Sequence, residues 1–353
     1  MDDIYSDMYI QDARRAAQSV ISPEFFQGKT VAVFGASGFI GSTVCFTLCE
    51  LGARVIACGR SEERLKNLFA HTSSVRTVKV DINDASWSTD TTIQDLYGTP
   101  DIVIDAASPA DPASFAQFPV RTMLSNVEGL SHVLDYVVAH NVERTLYISS
   151  GEIYGYFMQE HRVKEEEQGV LDILSARSCY PQSKRAAETL CASYATQYGI
   201  DVRIARPSHV IGPQFRASDS RASAQFFRDA LAGRDISLTS TGEQIRTFAY
   251  IADCVSGILS IISRGEPCHA YNVTNSENMV TFAQFARKIG QCAGINVHIP
   301  AHTTDTASRA ELKRLAQLDD SKLRSLGWSP QFGFDETIER TFTFLERARS
   351  VED

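Results

Sequence analysis

The sequence predicts an α/β fold: a doubly wound parallel sheet followed by a smaller C-terminal α/β lobe. Three observations lead there. Thr30-Val-Ala-Val-Phe34 is a short continuous apolar run, the pattern of a parallel strand buried on both faces. From there to about residue 206, such runs alternate with helical patterns, and that alternation implies a parallel sheet covered on both sides. After residue 207 the rhythm changes, with Pro207 and Pro213 punctuating a loop before shorter elements. The chain divides accordingly into an N-terminal helical arm over 1–28, a sheet domain over 29–206 and a smaller lobe over 207–353, partly interleaved with the sheet domain.

In the arm, Tyr9, Ala13, Ala16 and Val20 recur at helical spacing and Ser22-Pro23 ends the run. This helix is expected to pack on the body or on a partner subunit. Further strands are expected at 53–58, 75–80, 101–105, 144–149 and 201–205, with helices between them at 40–51, 61–70, 121–140 and 180–198. In the lobe, Ser223 to Ala232 reads as a helix and Ile236 to Thr239 as a short strand, with helical stretches near 281–293 and 335–348. Lys164-Glu-Glu-Glu167 reads as a solvated loop.

A length of 353 residues suits about two domains. With 43 acidic against 34 basic side chains the net charge is −9, which argues against a general nucleic-acid binder. An anionic small ligand held by a few arginines remains open. The N-terminus carries Asp2, Asp3 and Asp7 and lacks a signal-peptide pattern, and no apolar run approaches the ~18–20 residues of a membrane span. The eight cysteines form no CxxC pair, and no histidine cluster has metal spacing. The expectation is a soluble cytoplasmic protein with reduced cysteines and no structural metal.

Gly35-Ala-Ser37-Gly38-Phe39-Ile40-Gly41 follows the first strand and opens a helix. Glycines there let backbone approach a pyrophosphate, and a helix N-terminus offers N–H groups and a favourable dipole. In that setting the loop reads as the phosphate-binding turn of a Rossmann-like dinucleotide fold rather than a tight structural turn. The second strand ends Val55-Ile-Ala-Cys58-Gly59-Arg60, without the carboxylate that usually binds the adenosine ribose. Arg60 suits the 2′-phosphate of NADP; the alternative is a solvated loop arginine with NAD bound. Asp81-Ile82 is placed to meet the adenine edge, and Ala106-Ala107-Ser108 to line the nicotinamide ribose.

Tyr180-Pro-Gln-Ser-Lys184 sets a phenol and an ammonium one helical turn apart on one face. A nearby ammonium favours tyrosinate, so Lys184 is expected to lower the Tyr180 pKa and make Tyr180 a base for a sugar hydroxyl. Lys184 is also suited to hold the nicotinamide ribose. Upstream, Ser149-Ser150-Gly151-Glu152-Ile-Tyr154-Gly155 follows a strand end, where ligand-facing groups emerge in an open α/β sheet, and Ser150 is positioned to share a proton relay with Tyr180.

Together the glycine loop, the Ser-rich strand end and YxxxK resemble the extended short-chain dehydrogenase/reductases, and within them the nucleotide-sugar epimerase/dehydratase group. The resemblance runs from about residue 29 to 348 and includes Asn126-Val-Glu-Gly129, Arg206 through Gly212-Pro213, Arg246 through Tyr250 with Asp253, and Leu326-Gly-Trp-Ser-Pro330. Arg177-Ser-Cys-Tyr180, the run Lys184 to Cys191, Asp219-Ser-Arg221 and Gly242-Glu-Gln-Ile-Arg246 are most similar to UDP-glucuronate decarboxylases.

That resemblance implies a tightly held NAD or NADP, contacted also by Asn126 and Pro207, a UDP-sugar in the second lobe and a homodimer built on the 121–140 and 180–198 helices. It implies oxidation at the sugar C4 with Tyr180, Lys184, Ser150 and Glu152 as catalytic residues. The resulting 4-keto group lets the C5 carboxylate leave as CO2, with Glu152 assisting. His209, Arg221 and Arg246 join Ser150 and Glu152 around the substrate: Arg221 on the diphosphate, Arg246 on the sugar carboxylate or a phosphate. The alternative for Arg246 is a structural ion pair with Asp253 or another acid.

The chain departs from the family pattern at His209 (usually Asn), Ile211 (usually Tyr) and Gly151 (usually a hydroxyl). An acid at 151 would serve 4,6-dehydration, and Gly151 speaks against it. Decarboxylation is the first reading. A UDP-sugar 4-epimerase, an NADPH-dependent reductase, a 4,6-dehydratase and a catalytically silent dinucleotide sensor are its competitors.

Overall fold

The computed structural model describes residues 2–89, 92–214, 219–301, 313–314 and 317–352. The first half of the chain lays down β1 (Thr30–Phe34), β2 (Arg54–Gly59), β3 (Val75–Lys79), β4 (Ile102–Asp105) and β5 (Arg144–Ile148). The short β6 (Tyr156–Phe157) leaves the sheet, and β7 (Val202–Pro207) returns to it. The lobe contributes β8 (His209–Ile211), β9 (Ile236–Ser237) and β10 (Ile245–Tyr250), and then β11 (Ala270–Val273) rejoins the main sheet. Seven strands result, in the order β11-β7-β5-β4-β1-β2-β3. Every pairing is parallel. The last strand thus comes from beyond residue 207, which is where the two parts of the chain interleave.

Alternation along β1 feeds both faces of the sheet. Val31 and Val33 join one core with Val44, Leu48 and Ile258. Ala32 and Phe34 join the opposite one with Trp87, Val133 and Tyr136. Two-sided burial is why β1 reads as an unbroken apolar run. The covering helices are α1 (Asp2–Gln18), α2 (Phe39–Glu50), α3 (Glu62–Leu68), α4 (Gln94–Tyr97), α5 (Pro112–Gln117), α6 (Pro119–Ala139) and α7 (Cys179–Tyr198). Pro119 sits at the first turn of α6, where its missing N–H costs nothing.

The lobe adds α8 (Ala222–Leu231), α9 (Ile251–Arg264), α10 (Phe282–Ala293), α11 (Ser321–Ser325) and α12 (Phe334–Glu352). With them come β12 (Met279–Thr281), β13 (Val297–His298) and β14 (Lys313–Arg314). Its core is largely phenylalanine: Phe226, Phe227, Phe248 and Phe285, with Phe248 and Phe285 stacked at 4.9 Å. The strand expected to reach Thr239 stops at Ser237, in a two-residue pairing with β13. Among the described residues, no helix is long and apolar enough to cross a membrane.

The arm packs on its own body. Tyr9 meets Phe46 of α2 and Phe344 of α12. Asp12, fully buried, accepts from Tyr250 Oη at 2.7 Å and from Arg340 Nε at 2.8 Å. Burial raises its carboxyl pKa above the ordinary range against the pull of Arg340. Asp12→Ala would strand the Arg340 guanidinium, and a loss of about 3–5 kcal/mol is expected. Urea unfolding at constant m-value measures it; a change below 1 kcal/mol would reject a structural role for this cluster.

The acidic run at 164–167 is not simply solvated. Glu165 accepts from the Asn272 N–H at 2.8 Å, and Glu167 accepts from Lys164 N–H at 2.8 Å and lies 2.6 Å from His161 Nε2. Neighbouring donors that are distant in sequence, or adjacent across a turn, fold the run back onto β11.

Candidate active site

Strand order reverses between β1 and β4, so a crevice opens at their carboxyl ends. The glycine loop occupies it. Gly35 has φ 77°, and a Cβ there would lie 2.6 Å from Ala106 O. A Cβ on Gly41 would lie 2.3 Å from Gly35 O. Gly38 caps α2 in extended conformation and donates its N–H to Gly35 O at 2.8 Å. The loop therefore folds tightly on itself and leaves the first turn of α2, with Phe39 and Ile40, facing the crevice, a cradle that suits a dinucleotide pyrophosphate.

Around this cradle, Ser37 Oγ comes close to Gly59, at 3.6 Å from where a Cβ would stand, and Arg60 is exposed just beyond. Asp81 Oδ1 accepts from the N–H of Asn83 at 3.1 Å. Ile82 is buried against α6, where Gly129 leaves it room, and its carbonyl lies 2.7 Å from His132 Nδ1. A cavity of about 490 Å³ lies beside Asp81 and Asn83, bounded by Phe118, Arg121 and Glu128.

On the other side of the loop, Ala106 N–H donates to Phe34 O and Ala107 N–H to Asp105 Oδ1, both at 2.9 Å. Ser108 Oγ donates to Asn126 Oδ1 at 2.7 Å; Asn126 Nδ2 donates to Ser183 Oγ at 3.0 Å; Ser183 donates to Tyr180 O at 2.9 Å. Asn126 is thus a buried bridge that ties the end of β4 to the first turn of α7.

Tyr180 and Lys184 are both buried on α7. Lys184 Nζ donates to Ile148 O at 2.7 Å and lies 4.5 Å from the Tyr147 ring centroid and 5.9 Å from that of Tyr180. The expected acidification of the phenol by Lys184 is reversed. Burial, helped by the Glu152 charge, pushes the Tyr180 pKa up, while Ser150, Arg221 and Arg177 oppose it. Lys184 itself is pulled down to about 8, chiefly by burial, with Asp105 and Glu188 working to keep it charged. Burial also pushes Asp105 up to about 6, with Lys184 opposing the rise.

The ammonium should therefore be lost as pH rises through about 8. The groups around it are Asp105 on β4, Tyr147 on β5, and Tyr180, Glu188 and Cys191 on α7. Asp105→Asn removes a charge that raises the Lys184 pKa, so the alkaline limb of turnover is expected to move to lower pH. A pH–rate profile with the limb unmoved would reject the coupling.

Glu152 follows β5 in the 3-10 turn Gly151–Tyr154, whose Ser150 Oγ accepts the Glu152 N–H at 3.1 Å. Arg177 Nη2 donates to both Glu152 oxygens, at 3.2 and 3.1 Å. The Arg177 guanidinium lies 5.0 Å over Phe115, and Phe115 stacks on Tyr180 at 4.4 Å with 17° between planes. At Gly151 a Cβ would fall 2.8 Å from Leu318 Cδ1 and 3.3 Å from the carbonyl of Pro207, so Leu318 fills the space of a side chain there.

From the lobe, Arg221 precedes α8, donates from Nε and Nη2 to Asp219, and sits 5.7 Å over the Phe39 ring at the start of α2. His209 is exposed, 5.7 Å from Phe248. Arg246 donates from Nη1 to Ile245 O and from Nη2 to Gln244 Oε1, both at 2.8 Å. Asp253 is not its anchor: this buried carboxylate accepts the N–H groups of Gln331 and Phe332, and burial raises it to about 7.

Asp105 and Phe115 were not among the residues singled out by motif, and Arg177 stood in one without a role. Asp105 carried one signal, a carboxylate closing an apolar strand. Arg177 lies within the stretch leading to Tyr180, and Phe115 carried none.

A glycine cradle at the switch point of a parallel sheet, faced by a Tyr–Lys pair one helical turn apart, defines a dinucleotide-dependent enzyme of the extended short-chain dehydrogenase/reductase type. The model of the NAD dependent epimerase/dehydratase family matches residues 31–274, well over half of the chain, and the protein belongs to that family. It is 29% identical over 320 residues to UDP-glucuronic acid decarboxylase 1 of Xenopus tropicalis, covering 90% of this chain and 72% of that one. Among solved structures, an epimerase of Methanothermobacter thermautotrophicus superposes with TM-score 0.80 at 22% identity, covering 98% and 97% of the two chains. The UDP-glucose 4-epimerase of Thermotoga maritima, solved with UDP-glucose, gives 0.77 at 23% identity, covering 92% and 100%.

Proposed function

We propose that the protein converts UDP-glucuronate to a UDP-pentose and CO2 through a transient 4-keto sugar. The observation that carries this is the convergence of Ser150, Tyr180 and the Glu152–Arg177 pair at one strand end, beside Gly151, which supplies no acid for dehydration. The similarity to UDP-glucuronic acid decarboxylases along 90% of the chain supports the same reading.

The cradle fits NAD or NADP: Gly35 and Gly41 have no room for a Cβ against the Ala106 and Gly35 backbone, so the loop packs tightly and keeps the start of α2 open to a pyrophosphate. Gly35, Ser37, Gly38, Phe39, Ile40 and Gly41 would hold the pyrophosphate, Asp81 and Ile82 the adenine, and Ala106, Ala107, Ser108, Lys184 and Pro207 the nicotinamide riboside. Arg60, exposed just after β2, would meet the 2′-phosphate if the dinucleotide is NADP. When bound, the nicotinamide supplies a hydride sink that later returns the hydride.

The chain's own groups do the rest. Ser150 and Tyr180 carry the proton away from the C4 hydroxyl, and the ketone that forms makes the C5 carboxylate a β-keto acid. The C5–C6 bond breaks, its electrons pass into the enolate, and CO2 leaves. Glu152 attends the reprotonation of C5, and Tyr180 returns the proton to the C4 oxygen. Arg221, beside the start of α2, is placed for the diphosphate.

The active species is a homodimer. Phe118 just before α6, Val120, Met123 and Leu124 on α6 and Tyr198 on α7 are exposed apolar side chains suited to a helical seam. Sedimentation of the full chain tests this. Incubation with UDP-glucuronate, UDP-glucose and UDP-galactose, read by product mass, tests the reaction: a product lighter by CO2 from UDP-glucuronate alone is expected. Interconversion of the two neutral sugars without CO2 release would make it an epimerase. Stoichiometric consumption of NADPH would make it a reductase.

A further inference from the structure

Arg177 sits on the 3-10 turn Ala176–Ser178, immediately before α7. Only its Nη2 is engaged, by the two oxygens of Glu152; Nε and Nη1 make no hydrogen bond among the described residues. The pair opens on solvent, with side chains 44% and 25% exposed. An exposed pair of this kind contributes about 0–1 kcal/mol to stability, so folding does not account for it. Its setting is specific: the guanidinium rests on Phe115, and Phe115 rests on Tyr180.

Two other arginines compete for an anionic sugar. Arg246 has its terminal nitrogens on Ile245 O and on the side chain of Gln244 just before β10, and Arg221 has Nε and Nη2 on Asp219, over Phe39. Arg177 combines open donors with contact, through Phe115, to Tyr180. A hexuronate whose C4 hydroxyl meets Tyr180 carries its carboxylate on the neighbouring C5. That carboxylate falls beside Glu152, where two like charges would repel unless a cation lay between them.

We propose that Arg177 is the specificity-determining residue that receives the sugar carboxylate, exchanging part of its contact with Glu152 for the substrate. This deepens the decarboxylase reading and rests on it. The planar guanidinium has donors enough for two carboxylates at once. Glu152 reclaims the guanidinium as CO2 departs, so binding the carboxylate does not hold back the bond cleavage. A neutral hexose offers no charge to displace Glu152, and UDP-glucose is therefore bound without this contribution.

The test is calorimetric titration of the full chain, saturated with dinucleotide, by UDP-glucuronate, UDP-glucose and UDP. Arg177→Gln is expected to weaken UDP-glucuronate binding by roughly 10-fold or more, the range of a hydrogen bond to a charged group, and to leave UDP-glucose and UDP within about 2-fold. Arg177→Lys, which keeps the charge, is expected to recover part of the loss. Equal weakening of all three ligands, or an unchanged preference for UDP-glucuronate in Arg177→Gln, overturns the assignment of Arg177 alone. Should Arg177→Gln not fold, Arg177→Lys is read instead: UDP-glucuronate weakened more than UDP-glucose and UDP supports the assignment, and equal weakening of all three, with the preference unchanged, rejects it. A wild-type protein with no preference for UDP-glucuronate and no CO2 release overturns the decarboxylase reading and this inference with it.

Discussion

Tyr180→Phe is expected to lower turnover on every accepted nucleotide sugar by ~10²–10⁴-fold, the usual contribution of a positioned proton-transfer group. The ring keeps its stack on Phe115, so the α7 turn and its neighbours should stay in place. Only the hydroxyl facing Ser150 is lost. Dinucleotide affinity and melting temperature are expected to change little, which separates a chemical from a structural effect. Full activity in this variant would remove Tyr180 from the reaction. Burial and the Glu152 charge raise the Tyr180 pKa, and Ser150, Arg221 and Arg177 oppose the rise.

Gly41→Ala is expected to weaken dinucleotide binding strongly. The added Cβ would stand 2.3 Å from Gly35 O and 2.9 Å from Gly35 C, both backbone atoms that cannot rotate away. The loop must open, with a stability cost of about 1–3 kcal/mol, typical of overpacking. Opening the loop also separates the N–H groups of α2 from the pyrophosphate, and affinity should fall on the order of 10²-fold. Gly333→Ala is the control, since nothing lies within 4 Å of its Cβ position. Dinucleotide fluorescence titration of both variants decides it: unaltered affinity in Gly41→Ala would remove the loop from cofactor binding.

Motif reading reached Tyr180, Lys184, Ser150, Glu152 and the glycine loop because each belongs to a stretch whose spacing is local. It did not reach their electrostatics. Lys184 was expected to lower the Tyr180 pKa; its Nζ donates to Ile148 O and lies 5.9 Å from the Tyr180 ring centroid, and burial raises that pKa instead. Asp253 was a candidate partner for Arg246 and instead binds the loop at Gln331 and Phe332. Glu165 lay in what read as a solvated charge run and binds the backbone of Asn272, more than a hundred residues away.

The amino-acid order by itself determined the strand–helix alternation, the dinucleotide turn and the one-turn separation of phenol and ammonium, since periodicity and steric demand act over a few neighbouring residues. Tertiary structure alone decided which charges meet. Arg177 reaches Glu152, Phe115 covers Tyr180, Asp12 finds Arg340, and Asp105 comes within electrostatic reach of Lys184. Desolvation and Coulomb energy depend on what distant segments bring against a group, and no local pattern encodes that.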